Sequence, residues 1–150
     1  MQQSRGIQRF AMAAGMAAML CIGACAKQGA EAEVRARIAE LQAAIDARSA
    51  GDVHDLLAED FVGNDGLDRR GARQLAAGSF LRYRDVSVRL GPVDVELRGE
   101  RDAVASFTAA ATGGSGAALP DSGQLYQVET GWRLIDGKWQ LLNASWKPAF

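Results

Sequence analysis

The hydrophobic pattern of this chain changes its period near Asp85, and this change limits the possible folds more than any other feature. Before it, four apolar residues recur at intervals of four, three and four: Val34, Ile38, Leu41 and Ile45. This spacing predicts one apolar stripe along an amphipathic helix. After Asp85, apolar and polar residues alternate, as they do in half-buried strands. The sequence therefore predicts an α+β domain in which helices cover one face of an antiparallel sheet.

Two shorter helices are predicted between the first helix and the strands. Gly51 is expected to end the first helix, and Asp52 to act as the N-cap of the second. The stretch GNDG at 63–66 is typical of a turn. Asp68 is expected to cap a third helix that runs to about Tyr83. The sheet should therefore be preceded by three helices.

The second half of the chain predicts a meander of strands. A long strand from Asp85 is expected to bend at Gly91-Pro92, and the alanine-rich stretch AVASFTAAAT should form the next strand. The stretch GGSGAALPDSG at 113–123 indicates a loop. Asp136-Gly137 lies between two alternating runs, which is a strong hairpin signal. The last two strands are therefore predicted to pair.

The opening segment has the composition of a secretory signal. Arg5 and Arg9 are the only charged residues before Lys27. The uncharged run at 10–24 would span roughly 22 Å as a helix, which is shorter than the ~30 Å hydrocarbon core of a bilayer. A cleaved signal is therefore favoured over a membrane-spanning helix.

The end of this segment carries a second signal. Ile22-Gly23-Ala24-Cys25 resembles the lipobox of bacterial lipoproteins. The resemblance implies cleavage after Ala24 and a lipid attached to the thiol of Cys25, which would anchor the mature chain to a membrane. Ala26 at the second mature position implies transport to the outer membrane, with the domain on its periplasmic face.

Cleavage at this point would divide the chain into a signal peptide at 1–24, a tether at 25–31 and a domain at 32–150. Cys21 would be removed with the signal, so the mature chain would hold no disulfide and would depend on packing alone. A plain secretory signal with an incidental cysteine and an uncleaved anchor remain the alternatives.

The predicted order of elements resembles the nuclear transport factor 2-like superfamily, which includes ketosteroid-isomerase-like and polyketide-cyclase-like proteins. The resemblance covers residues 32–147 and rests mainly on LLAEDFVG after the first helix and on the W-x-x-x-D-G-x-W pattern of the last hairpin. It implies a cone-shaped fold with three N-terminal helices packed on a strongly bent antiparallel sheet. The superfamily holds enzymes, binding modules and assembly domains, so this fold does not decide function.

Charge and composition exclude several partners. Seventeen basic and eighteen acidic residues nearly cancel, and no contiguous basic block is present, so nucleic acid is not an expected partner. The single histidine and the two cysteines, both in the opening segment, leave the domain without the usual ligands of zinc, copper or iron. No metal and no cofactor are therefore predicted.

Five residues are candidates for a pocket. Trp132, Trp146 and Tyr126 could line an apolar pocket in the cone, although large aromatic rings also fill cores. Asp60 and Glu129 are carboxylates that could act as a general base if they lie within reach of a substrate. The alternatives are a solvated sheet face for Glu129, turn formation and helix capping for Asp60, and a solvated or capping role for His54. No catalytic residue is assigned.

The leading hypothesis is a lipid-anchored periplasmic domain with no catalytic role that binds a small apolar ligand or a protein partner. One alternative is a small isomerase or hydrolase that uses a pocket carboxylate such as Asp60 or Glu129. A second alternative is a structural module that forms a homodimer through the open face of its sheet.

Overall fold

The computed structural model describes residues 18–114 and 122–150 of the chain. The predicted n-region, most of the apolar run, and the middle of the glycine-rich loop lie outside these residues. The described elements follow in this order: α1 (Ala18–Asp46), α2 (Ala50–Leu56), β1 (Leu57–Val62), a 3-10 turn (Asn64–Gly66), α3 (Arg69–Arg82), β2 (Asp85–Leu90), β3 (Asp94–Arg98), β4 (Asp102–Gly114), β5 (Ser122–Ile135) and β6 (Lys138–Pro148).

Three α-helices pack on one sheet of six strands, so the predicted α+β class is confirmed. The strand order is β1-β6-β5-β4-β2, and β3 also pairs with β4. Strands β2 and β3 pair with successive halves of β4, on either side of Gly91 and Pro92. The predicted bend therefore divides one long edge strand into two.

The sheet is mixed rather than antiparallel throughout, which corrects the prediction. β1 pairs with β6 in parallel, with Leu57 opposite Leu141. The sequence places Leu56 and Leu57 on the inward side of the second helix and Phe61 at its exit. In the structure all three are buried, but Leu57 and Phe61 belong to a strand.

The beginnings of the two short helices test the predicted caps. The Asp68 carboxylate accepts a 2.7 Å hydrogen bond from the Gly71 amide, so this cap is confirmed. The cap of α2 is Ser49 and not Asp52, because the Ser49 hydroxyl accepts a 3.2 Å bond from the Asp52 amide. Gly51 accordingly lies inside α2 rather than at the end of α1.

The predicted hairpin between β5 and β6 is confirmed. Asp136 and Gly137 both have left-handed backbone angles, with φ of 49° and 76°. A two-residue turn with positive φ at both positions matches the twist of the strands that it joins. The hairpin aligns Trp132 of β5 with Leu141 of β6.

Helix α1 extends across the predicted boundary between tether and domain. The residues predicted as a tether, 25–31, are helical and continue without a break into the rest of α1. Alanine, lysine, glutamine and glutamate dominate this stretch, and all four favour helical backbone. From Ala24 onwards, where burial is described, Val34 is the first fully buried residue of α1, so the packed part of this stretch begins close to the predicted boundary at Ala32.

The main core lies between α1 and the ends of the strands near the β5–β6 hairpin. Trp132 and Trp139 are 1–2% exposed, and they pack with Val34 of α1. We call this part of the helix–sheet interface the closed end.

Candidate functional site

A cavity of about 410 Å³ lies between the helices and the sheet. This volume is within the range of about 300–1,000 Å³ that is usual for small-molecule sites. We call it the inner cavity. Its lining residues are mostly aliphatic or aromatic: Ile38, Leu41, Gln42, Ile45, Val53, Leu57, Phe61, Leu67, Ala72, Leu75, Ala76, Ser79, Phe80, Val86, Val88, Leu90, Phe107, Ala109, Ala111, Tyr126, Val128, Thr130, Leu141, Ala144 and Trp146.

Alternation along the strands explains how the sheet presents this wall. On β5, Tyr126, Val128 and Thr130 share one face because successive side chains point to opposite sides. The same alternation on β4 gives Ala109 and Ala111 to the inner cavity. Small side chains at these positions leave space that larger ones would fill.

Helix α3 closes the inner cavity on the side opposite the sheet. Ala72, Leu75, Ala76, Ser79 and Phe80 line it at intervals of three, one, three and one residues. This spacing places all five on one side of the helix. The Asp68 cap therefore fixes the start of the element that covers the inner cavity.

Four lining residues carry polar side chains. Gln42 donates a 2.8 Å hydrogen bond to the Val88 carbonyl. The Thr130 hydroxyl donates to the Ala105 carbonyl at 3.2 Å and accepts from the Trp132 indole at 2.9 Å. The structural role of these two side chains is to hold neighbouring elements together.

The other two polar residues are Ser79 and Tyr126. Within the described residues, neither hydroxyl has a hydrogen-bond partner, and neither hydroxyl oxygen is completely buried. The lining residues include no carboxylate, imidazole, thiol, ammonium or guanidinium group. The inner cavity as described thus offers apolar contact and two hydroxyl groups.

The predicted aromatic residues divide between the inner cavity and the core. Tyr126 and Trp146 line the inner cavity. Trp132 is 1% exposed and belongs to the closed end, so it does not line the inner cavity. All three share the inward side of the sheet, but Trp132 faces α1 where large side chains leave no space.

The two candidate carboxylates lie outside the inner cavity. Asp60 is an exposed residue of β1. Glu129 is exposed on the outer face of β5, where it borders a shallow groove with Gln127, Ser145 and Lys147. Glu129 alternates with the inward residues Val128 and Thr130, because successive positions of a strand face opposite sides. Asp60 and its neighbour Glu59 are both exposed where the pairing of β1 with β6 is irregular. Neither carboxylate is placed to reach a ligand in the inner cavity.

His54 is also remote from the inner cavity. Its ring Nδ1 lies 3.2 Å from a carboxylate oxygen of Asp55, and its carbonyl accepts a 3.3 Å bond from Arg69. No group of three or more potential metal ligands occurs within residues 18–114 and 122–150. In the same ranges, no helix is long and apolar enough to cross a membrane.

Two site residues escaped the sequence analysis. Ser79 is the one polar residue among the five that α3 contributes to the described lining, and nothing in the sequence marks its hydroxyl as inward-facing. Asn64 belongs to the predicted turn, but its amide also donates a 2.6 Å bond to the Trp146 carbonyl and accepts a 3.2 Å bond from the Trp146 amide. Asn64 thereby continues the pairing of β1 with β6 and holds Trp146 beside the inner cavity.

No protein-family model and no curated protein matches this sequence. Solved structures do match it. A candidate scytalone dehydratase from Novosphingobium aromaticivorans DSM 12444 superposes with a TM-score of 0.77 at 14% identity, over 85% of this chain and 89% of that one. A candidate dehydratase of the NTF2-like family from Streptomyces avermitilis gives 0.71 at 15% identity, over 83% and 99%.

A third similar structure is the hexachlorocyclohexane dehydrochlorinase LinA-type3 from Novosphingobium barchaimii LL02, with a TM-score of 0.69 at 12% identity, over 84% of this chain and 90% of that one. At such low identity the similarity concerns the fold alone. The domain therefore has the nuclear transport factor 2-like fold, as the sequence pattern indicated. Its function has to be argued from its own side chains.

Proposed function

We propose that this chain is a lipid-anchored periplasmic domain that binds an uncharged, mainly apolar small molecule in the inner cavity and has no catalytic role. The observation that carries the proposal is the apolar lining of a cavity of about 410 Å³. Transfer of an apolar molecule from water into such a cavity is favourable, at roughly 25 cal/mol per Å² of apolar surface removed from water.

The chemistry of the lining also indicates which ligand charge the inner cavity favours. An ionised group buried without a partner of opposite charge is strongly disfavoured. The described lining offers no such partner, whereas the Ser79 and Tyr126 hydroxyls can donate to a carbonyl or hydroxyl oxygen. An uncharged ligand with one or two polar oxygens therefore fits better than a carboxylate.

A fluorescence titration tests the proposal. N-phenyl-1-naphthylamine is uncharged and apolar, and its emission rises in an apolar site. The full chain should bind this probe, and Ala111→Phe should weaken binding by about tenfold or more, equivalent to about 1.4 kcal/mol. Ala110→Phe is the matched control because Ala110 is adjacent on β4 but faces the other side of the sheet. Equal affinity of both variants would disprove binding in the inner cavity.

The proposed preference for uncharged ligands can be tested with two probes that differ mainly in charge. Anilinonaphthalene sulfonate has nearly the same aromatic body as the first probe but carries a negative charge. We expect weaker binding of the sulfonate, and the difference should persist at high salt because it arises from burial of the charge. Tighter binding of the sulfonate would contradict the proposed ligand class.

The lipid anchor is supported by the lipobox-like sequence and by the exposure of Cys25 on α1, nine residues before the buried Val34. Cys25→Ser should leave an uncleaved precursor without lipid, whereas Cys21→Ser should be processed normally. Detergent phase partition and electrophoretic mobility distinguish these products. The anchor assignment fails if the two variants behave alike.

Dimerisation through the open sheet face stays a prediction. The outer face of β5 and β6 is polar around Glu129, Ser145 and Lys147. Sedimentation of the full chain over a range of concentrations would test it, and a monomer at high concentration would count against a structural dimer.

A further inference from the structure

The outer side of α3 carries a stripe of residues, exposed except for the half-buried Ala77, that the ligand-binding proposal does not use. Arg70, Gln74, Ala77 and Leu81 follow one another at intervals of four, three and four residues. This spacing aligns them on the side of the helix that faces away from the inner cavity. Arg73 flanks the stripe and is also exposed.

The charge of this region differs sharply from that of the rest of the chain. Residues 69–84 contain five arginines and no acidic residue, while the other residues contain twelve basic and eighteen acidic side chains. The five arginines are spread over sixteen positions, so the sequence shows no contiguous basic block. Folding gathers most of them on one helix and leaves a local excess of positive charge.

These arginines are not neutralised inside the domain. The described ion pairs of arginine involve Arg37, Arg89, Arg98 and Arg133. Within the described residues, no arginine of the 69–84 segment is paired with a carboxylate. Arg69 instead donates to the His54 carbonyl, and the Arg82 guanidinium lies 5.8 Å from the centre of the Tyr83 ring.

An aliphatic side chain accompanies the charges. Leu81 is 87% exposed, whereas Phe80 beside it is 6% exposed and lines the inner cavity. Leu81 is adjacent to Arg82 and lies on the same side of the helix as Arg70, so a surface that is both anionic and able to receive a hydrocarbon chain would complement it. Helices of this composition lie in the headgroup region of anionic bilayers.

We propose that the outer side of α3 docks on a bilayer that contains anionic phospholipid, with Leu81 in the acyl boundary and with phosphate groups bound by Arg70 on the stripe and by Arg73 and Arg82 on its two flanks. Guanidinium groups bind phosphate with two parallel hydrogen bonds, which favours this partner chemistry. An acidic protein surface would match the charges, but it would need a separate pocket for Leu81.

The position of α3 gives this docking a consequence for the ligand. The inner side of the same helix covers the inner cavity, so a docked α3 would place that cavity beside the acyl boundary. Entry or exit of a ligand would then take place beside the bilayer, past a helix that docking holds in place. This consequence depends on the proposed ligand binding, whereas the docking itself does not.

Flotation with vesicles tests the docking. We would compare the full chain on vesicles of phosphatidylcholine alone and of phosphatidylcholine with one quarter phosphatidylglycerol. Binding should favour the anionic vesicles and weaken as salt is raised. The triple variant Arg70→Gln, Arg73→Gln, Arg82→Gln should lose on the order of 10²-fold in partition, from about fivefold for each arginine.

A second triple variant controls for net charge. Arg89→Gln, Arg98→Gln and Arg133→Gln remove the same three charges from exposed, ion-paired positions on the sheet. This control should keep most of the binding. Residues 1–24 are present in every variant, so their contribution cancels in each ratio. Circular dichroism should show unchanged helix content, because glutamine is a good helix former.

Leu81→Ser tests the hydrocarbon contact separately. It should reduce partition roughly fivefold, while Val62→Ser, at a 53% exposed position on β1, should not.

Equal losses in the two triple variants would mean that binding follows net charge alone, and would overturn the proposal. Binding to polyglutamate without binding to either vesicle would likewise overturn it and would indicate a protein partner. If the unsubstituted chain binds the anionic vesicles but does not bind the uncharged probe in the inner cavity, the proposed function is refuted and the docking still stands.

Discussion

The closed end and the inner cavity belong to one helix–sheet interface, but they differ in the size of the side chains that fill it. At the closed end, Trp132 and Trp139 pack against Val34 of α1 with at most 2% of their surface exposed. Around the inner cavity, Ala109 and Ala111 occupy corresponding inward positions of β4. The same layers therefore make a packed core at one end and a binding space at the other, and side-chain volume decides which.

Removal of a large side chain should have the largest effect and should separate the two ends most clearly. Trp132→Ala should lower the free energy of unfolding by about 3–5 kcal/mol, because it creates a void and removes the indole donor to the Thr130 hydroxyl. Trp146→Ala should cost about 1–2 kcal/mol, since Trp146 is only partly buried beside space that already exists. Urea unfolding with a shared slope measures both values. Similar losses would mean that the inner cavity is packed as tightly as the closed end.

Insertion of a larger side chain should have a smaller effect on stability than removal of a tryptophan. The loss should again be greater in the packed core than beside the inner cavity. Ala105 is fully buried on the inward face of β4, six residues before Ala111 on the same face. Ala105→Leu should destabilise the domain by about 1–3 kcal/mol through overpacking, while Ala111→Leu should change stability by less than about 0.5 kcal/mol. Thermal unfolding of the two variants checks the difference. A large loss for Ala111→Leu would show that the inner cavity cannot accept added volume.

Local chemistry explains which parts of the fold could be predicted from the sequence. The Asp68 cap and the Asp136-Gly137 hairpin depend on residues within a few positions of each other, so their signals are complete in the sequence. The shared face of Tyr126, Val128 and Thr130 follows in the same way from strand alternation. These features were predicted and are present.

The features that escaped prediction depend on contacts between distant residues. β1 pairs with β6 across about eighty residues, and its apolar positions fit a helical period as well as a strand. The inner cavity forms where small residues of β4, β6 and α3 face one another in the fold. No local sequence pattern predicts that these three elements meet there. Trp132 and Trp146 share an inward face, so only the position of the helices separates the core residue from the lining residue.

Hydrogen bonds, rather than tight packing, hold one wall of the inner cavity in place. Asn64 makes two hydrogen bonds to the backbone of Trp146, at 2.6 Å and 3.2 Å, and these act where the β1–β6 pairing has already ended. Asn64→Ala should cost about 1 kcal/mol, the net worth of one to two such bonds. It should also weaken binding of the uncharged probe, because Trp146 is then less firmly placed.

Asn64→Asp decides whether those bonds or the turn itself account for the effect. Asparagine and aspartate are equally good turn residues, so a role limited to the turn predicts little change. If the amide bonds matter, the carboxylate keeps the acceptor for the Trp146 amide but places an oxygen against the Trp146 carbonyl, and the loss should equal or exceed that of Asn64→Ala. Unfolding and probe titration of both variants provide the comparison. A neutral Asn64→Asp would mean that the cavity wall, like the closed end, is held by packing alone.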